Sequence, residues 1–199
     1  MGTISTGPVE QMRGRATARR REPTPVGVDA ARLVLVEALQ VLQGTVTAFL
    51  EQLAGEPIDA CGRRHTSGLA TGSDHLDVTE GSPITRRVAS LTGRRSLQVY
   101  VHAEAAIVAD RLPPGLCRRL EYSNQPIGRV LAEFGVDAAR RPPAEDRLLQ
   151  RVLDRRSCGC EAASIYARAY LIDVAGRPAM AVSEWFLPTL VAPLLSRRP

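Results

Sequence analysis

The sequence predicts one α+β domain, an antiparallel sheet flanked by helices. Three features lead there. Apolar residues recur at helical spacing early in the chain, strand-like runs come later in hairpin-spaced pairs, and no regular βαβ alternation of the kind that builds a parallel sheet is visible. With 199 residues, 44% hydrophobic and 24% charged, the chain has ordinary globular proportions and length enough for a single core.

Taken in order, residues 1–27 mix Gly, Pro, Thr, Ser and Arg without apolar periodicity. They cannot bury enough surface to offset the entropy of ordering. They are predicted to be a disordered Arg-rich tail, leaving residues 28–199 as the single domain. From Asp29, a suitable N-cap, Leu33, Val36, Leu39, Val41 and Leu42 give roughly helical spacing. Gly44 interrupts this helix. Thr45 can cap a new one whose apolar face, Val46, Phe49, Leu50 and Leu53, runs until Gly55 and Pro57.

Ile58–Thr66 is a weak strand signal, and the stretch from Gly68 to Ser82 reads as an extended Gly/Ser/Thr loop. Ile84–Leu91 and Leu97–Val108 are stronger strands, joined across Thr92-Gly93-Arg94-Arg95 at hairpin length. Asp110, Pro113 and Pro114 suit the start of a short helix ending near Tyr122. Ser123, Asn124 and Pro126 repeat that signal for a helix to Phe134 that buries Ile127, Val130, Leu131 and Phe134 and stops at Gly135. A further helix is expected over 146–153. Ile165–Val174 and Ala179–Leu187, joined across Gly176-Arg177-Pro178, predict a closing antiparallel hairpin.

Composition excludes several classes of function. The longest apolar stretch, Phe186–Leu195, is broken by two prolines and falls short of the ~20 residues that span a bilayer. With no secretory pattern at the N-terminus either, a cytoplasmic protein is expected. All 26 basic side chains are arginine, so a Schiff-base lysine is unavailable, whereas bidentate recognition of carboxylates is well supplied. The net charge of +5 owes much to Arg13, Arg15, Arg19, Arg20 and Arg21, and a solvated tail accounts for it without nucleic acid. Cys61, Cys117, Cys158 and Cys160 have no zinc spacing; Cys158-Gly159-Cys160 is a weak redox or metal hint. His65, His75 and His102 fall in no motif.

Three collinear segments carry the functional signal. They are Gly44-Thr45-Val46-Thr47-Ala48-Phe49-Leu50, Arg87-Val88-Ala89-Ser90-Leu91-Thr92-Gly93, and the pair formed by Asn124-Gln125-Pro126-Ile127-Gly128-Arg129 with Gly176-Arg177-Pro178-Ala179-Met180-Ala181-Val182-Ser183-Glu184-Trp185-Phe186-Leu187-Pro188. Together they resemble the chorismate pyruvate-lyase family over about residues 44–190. The resemblance implies a chorismate lyase-like fold with helical flaps over an internal ligand cavity, and conversion of chorismate to 4-hydroxybenzoate and pyruvate with no metal or organic cofactor.

Carried over residue by residue, it implies that Arg87 holds the ring carboxylate, Glu184 meets the ring hydroxyl, and Val46 and Ile127 pack on the ring. Thr45 and Gly128 border them, and Arg168 matches an arginine of the family. Each has a plainer reading. Glu184 could face solvent, and Thr45 and Thr47 could simply cap a helix. Arg86 and Arg87 point to opposite faces, so one is exposed, and Arg129 suits an ion pair. If Gly176-Arg177 is a two-residue turn, Glu184 sits opposite Ala169 and Arg168 faces away from it. Small residues at Val46, Ala179 and Ala181 would enlarge the cavity for a larger ring. A repurposed lyase acting on another carboxylated or polyketide-derived ring, and a non-catalytic aromatic-acid-binding module, are the alternatives. In every reading the partner is a small acidic ring compound, with neither nucleic acid nor membrane involved.

Overall fold

The computed structural model describes residues 25–42, 45–72, 75–142 and 164–196. The arginines of the tail, Gly44, the expected helix over 146–153 and the Cys158/Cys160 pair lie outside them. The described residues form α1 (Pro25–Gln40), α2 (Val46–Ala54), β1 (Ile58–Leu69), β2 (Pro83–Gly93), β3 (Val99–Ile107), α3 (Leu116–Tyr122), α4 (Ile127–Glu133), β4 (Ala138–Arg141), β5 (Tyr166–Val174), β6 (Arg177–Phe186) and α5 (Val191–Ser196). The six strands make one sheet in the order β1-β2-β3-β6-β5-β4, with every neighbouring pair antiparallel. This is the expected α+β architecture.

The sheet's two faces are covered differently. On one, α1, α2 and α5 bury Leu35, Leu39, Leu50, Leu53 and Val191 against Ala89, Leu91, Val101 and Phe186 at one end of the strands. At the other end α3 and α4 bury Leu116, Leu120, Val130 and Leu131 against Ala105, Ile107, Met180 and Val182. The opposite face packs Ala106, Leu171 and Ala181 against Leu76 and Ala70 of the β1–β2 connection. The helical face therefore holds two cores with a seam between them.

Local chemistry explains the better-predicted elements. The Thr45 hydroxyl accepts the Ala48 backbone N–H and caps α2, and Gly55 ends it in the left-handed conformation at φ 69°, where a side chain would be strained. The β2–β3 turn is built around a buried carboxylate: Glu56 accepts the backbone N–H groups of Arg95 and Ser96 at 2.6 and 3.0 Å. A Cβ on Gly93 would stand 2.3 Å from Glu56 Oε1, so only glycine fits there. Burial opposes the Glu56 anion, but these hydrogen bonds and that from Tyr100 outweigh it and lower its pKa.

Five expectations need correction. Helix α1 starts at Pro25, inside the predicted tail and four residues before Asp29, because proline suits a first helical turn. Its buried stripe is Ala31, Leu35 and Leu39, while Leu33 and Val41 are 66% and 71% exposed; an i, i+4 row other than the expected one meets the sheet. The loop assigned from Gly68 begins later, since β1 runs to Leu69 and pairs there with Pro83, cross-strand pairing overriding weak propensity. Phe134 follows α4 as an exposed residue. The closing turn is Ala175-Gly176, both at positive φ (50° and 73°), one residue earlier than expected.

Candidate functional site

The turn shift matters because it sets the register of the closing hairpin. Val174 pairs with Arg177 and Asp173 with Pro178. One residue of β6, Ala179, is then skipped as a bulge, and Ile172 pairs with Met180. Shift and bulge together place Arg168 directly opposite Glu184. Directly paired residues share a sheet face, so the expectation that Arg168 faces away from Glu184 is overturned. Arg168 Nε lies 2.8 Å from Glu184 Oε2.

The same rule assembles the helical face. Arg87 pairs with Ala105, Ala105 with Val182, and Val182 with Tyr170. In the adjacent row Ala89 pairs with Ala103, Ala103 with Glu184, and Glu184 with Arg168. Arg87 and Glu184 thus point the same way from strands separated by β3. The residues between them are alanines, and small side chains there leave a hollow. Arg86, one residue from Arg87, lies on the other face within 3.9 Å of Glu104.

That hollow is a cavity of about 40 Å³ at the seam between the two cores. Arg87, Glu184, Val46, Ile127, Thr45 and Gly128 all border it; Arg168, expected as a ligand contact, is not among the lining residues and stands behind Glu184 as its ion-pair partner. Sequence reasoning missed Tyr170 and Arg140, which also line the cavity. Tyr170 had a signal, since it lies two residues from Arg168 and so on the same face. Arg140 had none, because the four-residue strand β4 carries no apolar alternation.

The expected enlargement by small residues does not occur. Ala181 faces the opposite side and Ala179 packs in the α3/α4 core, which leaves Val46 as the small residue at the wall. A void of about 150 Å³ admits benzene, whereas water needs roughly a tenth of that. At about 40 Å³ the hollow as it stands is too small for a six-membered ring. Its cover is the Pro126-Ile127-Gly128 start of α4, within a segment bounded by Gly115 and Gly135 at φ 84° and 62°.

Backbone contacts position this cover. Asn124 O accepts the Ala60 N–H at 2.7 Å, Ser123 O accepts from Arg63, and Gln125 O accepts from Arg87 Nη2 at 3.3 Å. Arg129 ties α4 to Glu51 of α2, which is the plainer reading of that arginine. A Cβ on Gly128 would stand 3.0 Å from Thr45 Cγ2, so glycine allows α4 to close against the start of α2.

The electrostatics divide the charged groups. Glu184, 4% exposed, is bound at both oxygens, by Arg168 and by the Tyr170 hydroxyl at 3.1 Å. Burial and then the Glu184 charge push the Tyr170 pKa up, so the phenol is a hydrogen-bond donor. The Arg168 guanidinium also lies 5.0 Å from the Tyr170 ring centroid and 5.8 Å from that of Phe186, a cation–π setting. Arg87, 3% exposed, has no carboxylate partner among the described residues, and its Nε is buried without a hydrogen bond. Burial, then repulsion from Arg63, lowers its pKa to about 10; it remains a cation at neutral pH. The cavity thus joins a satisfied carboxylate and an unsatisfied guanidinium.

A curated protein named chorismate pyruvate-lyase from Mycobacterium tuberculosis is 31% identical to this chain over 108 residues, covering 52% of the chain and 53% of that protein. One of the same name from Mycobacterium bovis matches equally. Over that region the chain is similar to the chorismate pyruvate-lyases. It spans about half the length of the curated relatives it matches. No family model matches the chain. Among solved structures, PhnF from Mycobacterium smegmatis aligns with a TM-score of 0.46 at 14% identity, over 74% of this chain and 65% of that one. A GntR-family transcriptional regulator from Bacillus cereus aligns at 0.39 and 10%, over 66% and 91%. In the described residues no helix is long and apolar enough to cross a membrane.

Proposed function

We propose that the cavity, widened from its 40 Å³ by an outward shift of the start of α4, takes an acidic six-membered ring and that the chain cleaves chorismate to 4-hydroxybenzoate and pyruvate, as the name of its curated relatives suggests. One observation carries the reading: Arg87 is a buried cation without a carboxylate partner among the described residues, and it faces a hollow whose far wall is Glu184. A buried charge without a partner is costly. A ring carboxylate on Arg87 would remove that cost through two charge-assisted hydrogen bonds.

The chemistry asks little of the protein. The ring C–O bond of the enolpyruvyl ether breaks, and its electrons leave with the enolpyruvate oxygen. The ring carbon bearing the hydroxyl loses its proton, and that electron pair completes the aromatic ring. Enolpyruvate gains a proton on its methylene carbon to become pyruvate, so no water or oxidant enters. Arg87 fixes the ring, α4 and Val46 exclude solvent, and Glu184, held still by Arg168 and Tyr170, accepts the ring hydroxyl. With both oxygens already engaged, Glu184 suits an anchor better than a freely moving base.

The test is to incubate the purified chain with chorismate and follow 4-hydroxybenzoate and pyruvate together. Equimolar formation of both, lost in Arg87→Met, is the expected result. No turnover would remove the lyase reading; retention of 4-hydroxybenzoate binding in that case would leave a binding module.

A further inference from the structure

The cavity has a second cation that the ring-binding reading does not use. Arg140 pairs with Ile172 in the β4–β5 ladder, and Ile172 and Arg140 both border the hollow. Its neighbour Arg141, alternating to the other face, is satisfied by Asp173 at 2.6 Å. Arg140 makes no ion pair among the described residues. It is exposed and its guanidinium lies beside the starts of α2 and α4: a Cβ on Gly128 would lie 3.4 Å from its Nη2 and 3.0 Å from Thr45 Cγ2. Its charge extends inward, since it is one of the cations that act to lower the pKa of buried Tyr170.

The charges around the hollow can then be summed. Arg168 and Glu184 cancel, and Arg87 on β2 and Arg140 on β4 remain as two positive charges in the lining. The start of α2 adds to them, because Val46 and Thr47 line the hollow and first-turn N–H groups have no partner within a helix. A ligand with one carboxylate neutralises half of this. We infer that Arg140 is a specificity-determining residue that receives a second carboxylate, so that the site prefers ring dianions to ring monoanions. This rests on the ring-binding reading and extends it. In the proposed reaction the second carboxylate departs with pyruvate, so Arg140 would hold substrate and release its grip on the aromatic product.

The matched probes are 3-(carboxymethoxy)-4-hydroxybenzoate, a dianion with no cleavable enol ether, and 3-methoxy-4-hydroxybenzoate, which lacks the second carboxylate. Calorimetric titration of the full chain should show the dianion bound at least about fivefold more tightly, the contribution of one solvent-touched charge pair. Arg140→Gln should erase that preference by weakening the dianion several-fold more than the monoanion, with an unaltered melting temperature showing that the variant folds. Raising salt should shrink the wild-type preference. A preference that persists in Arg140→Gln, or is absent from the wild type, overturns the role of Arg140 while the ring-binding reading stands. Failure of the wild type to bind either acid overturns both.

Discussion

Arg87 on β2 and Arg168 on β5 project from the same face of one sheet with β3 and β6 between them, and both are largely removed from water. Arg168 is satisfied: a carboxylate at 2.8 Å, two aromatic rings beside it, and a raised pKa in which burial is outweighed by Glu184. Arg87 has a carbonyl at 3.3 Å, an orphan Nε and a lowered pKa. Equal residue types in similar burial thus have opposite electrostatics. Arg168 is thereby tied into the fold, whereas under the proposed function Arg87 is left for an acid that arrives from outside.

Substitutions should separate them by sign. Glu184→Leu strands Arg168 without its counter-ion and should cost about 3–5 kcal/mol of stability, read by urea unfolding; a cost below about 1 kcal/mol would break the contrast. Arg87→Met removes a buried charge that has no carboxylate partner among the described residues, and should raise stability by about 1–3 kcal/mol while abolishing turnover. Destabilisation comparable to that of Glu184→Leu would show that Arg87 is structural after all.

The smallest effect sharpens the comparison through a neighbour. His65 pairs with Arg87 across β1 and β2, and burial, then the Arg87 charge, hold its pKa below the ordinary 6.5. In Arg87→Met an NMR titration should find it raised. Burial lowers His102 likewise. Both rings stay neutral in the fold while the unfolded chain takes up protons, so their contribution is intact above pH 6.5 and is lost as pH falls toward the folded values. Thermal melts at pH 7.5 and 5.5 should show the acid loss, smaller in Arg87→Met.

Much of the site was legible, for reasons that differ by residue. Thr45, Gly55 and Gly93 carry local backbone requirements that a sequence displays directly. Arg87 and Glu184 were found through motif resemblance, and period-2 alternation correctly sent Arg86 to the other face. Arg168 was misread because its orientation depends on two compensating irregularities, a turn at Ala175-Gly176 and a bulge at Ala179, and a one-residue error inverts a strand. Ala175 at positive φ is a conformation that alanine rarely signals. Leu33 was misplaced because two stripes of α1 have acceptable spacing and tertiary packing chose Leu35. Arg140 became meaningful once β4 was seen beside β5.

The most direct test of the central claim is calorimetric titration of 4-hydroxybenzoate into the wild type and Arg87→Met. The wild type should bind one equivalent, and the variant, folded and no less stable, should bind at least about a hundredfold more weakly, as expected for loss of a buried charge-assisted pair. Equal affinity in the two proteins would mean that the unpartnered guanidinium is not where the acid sits.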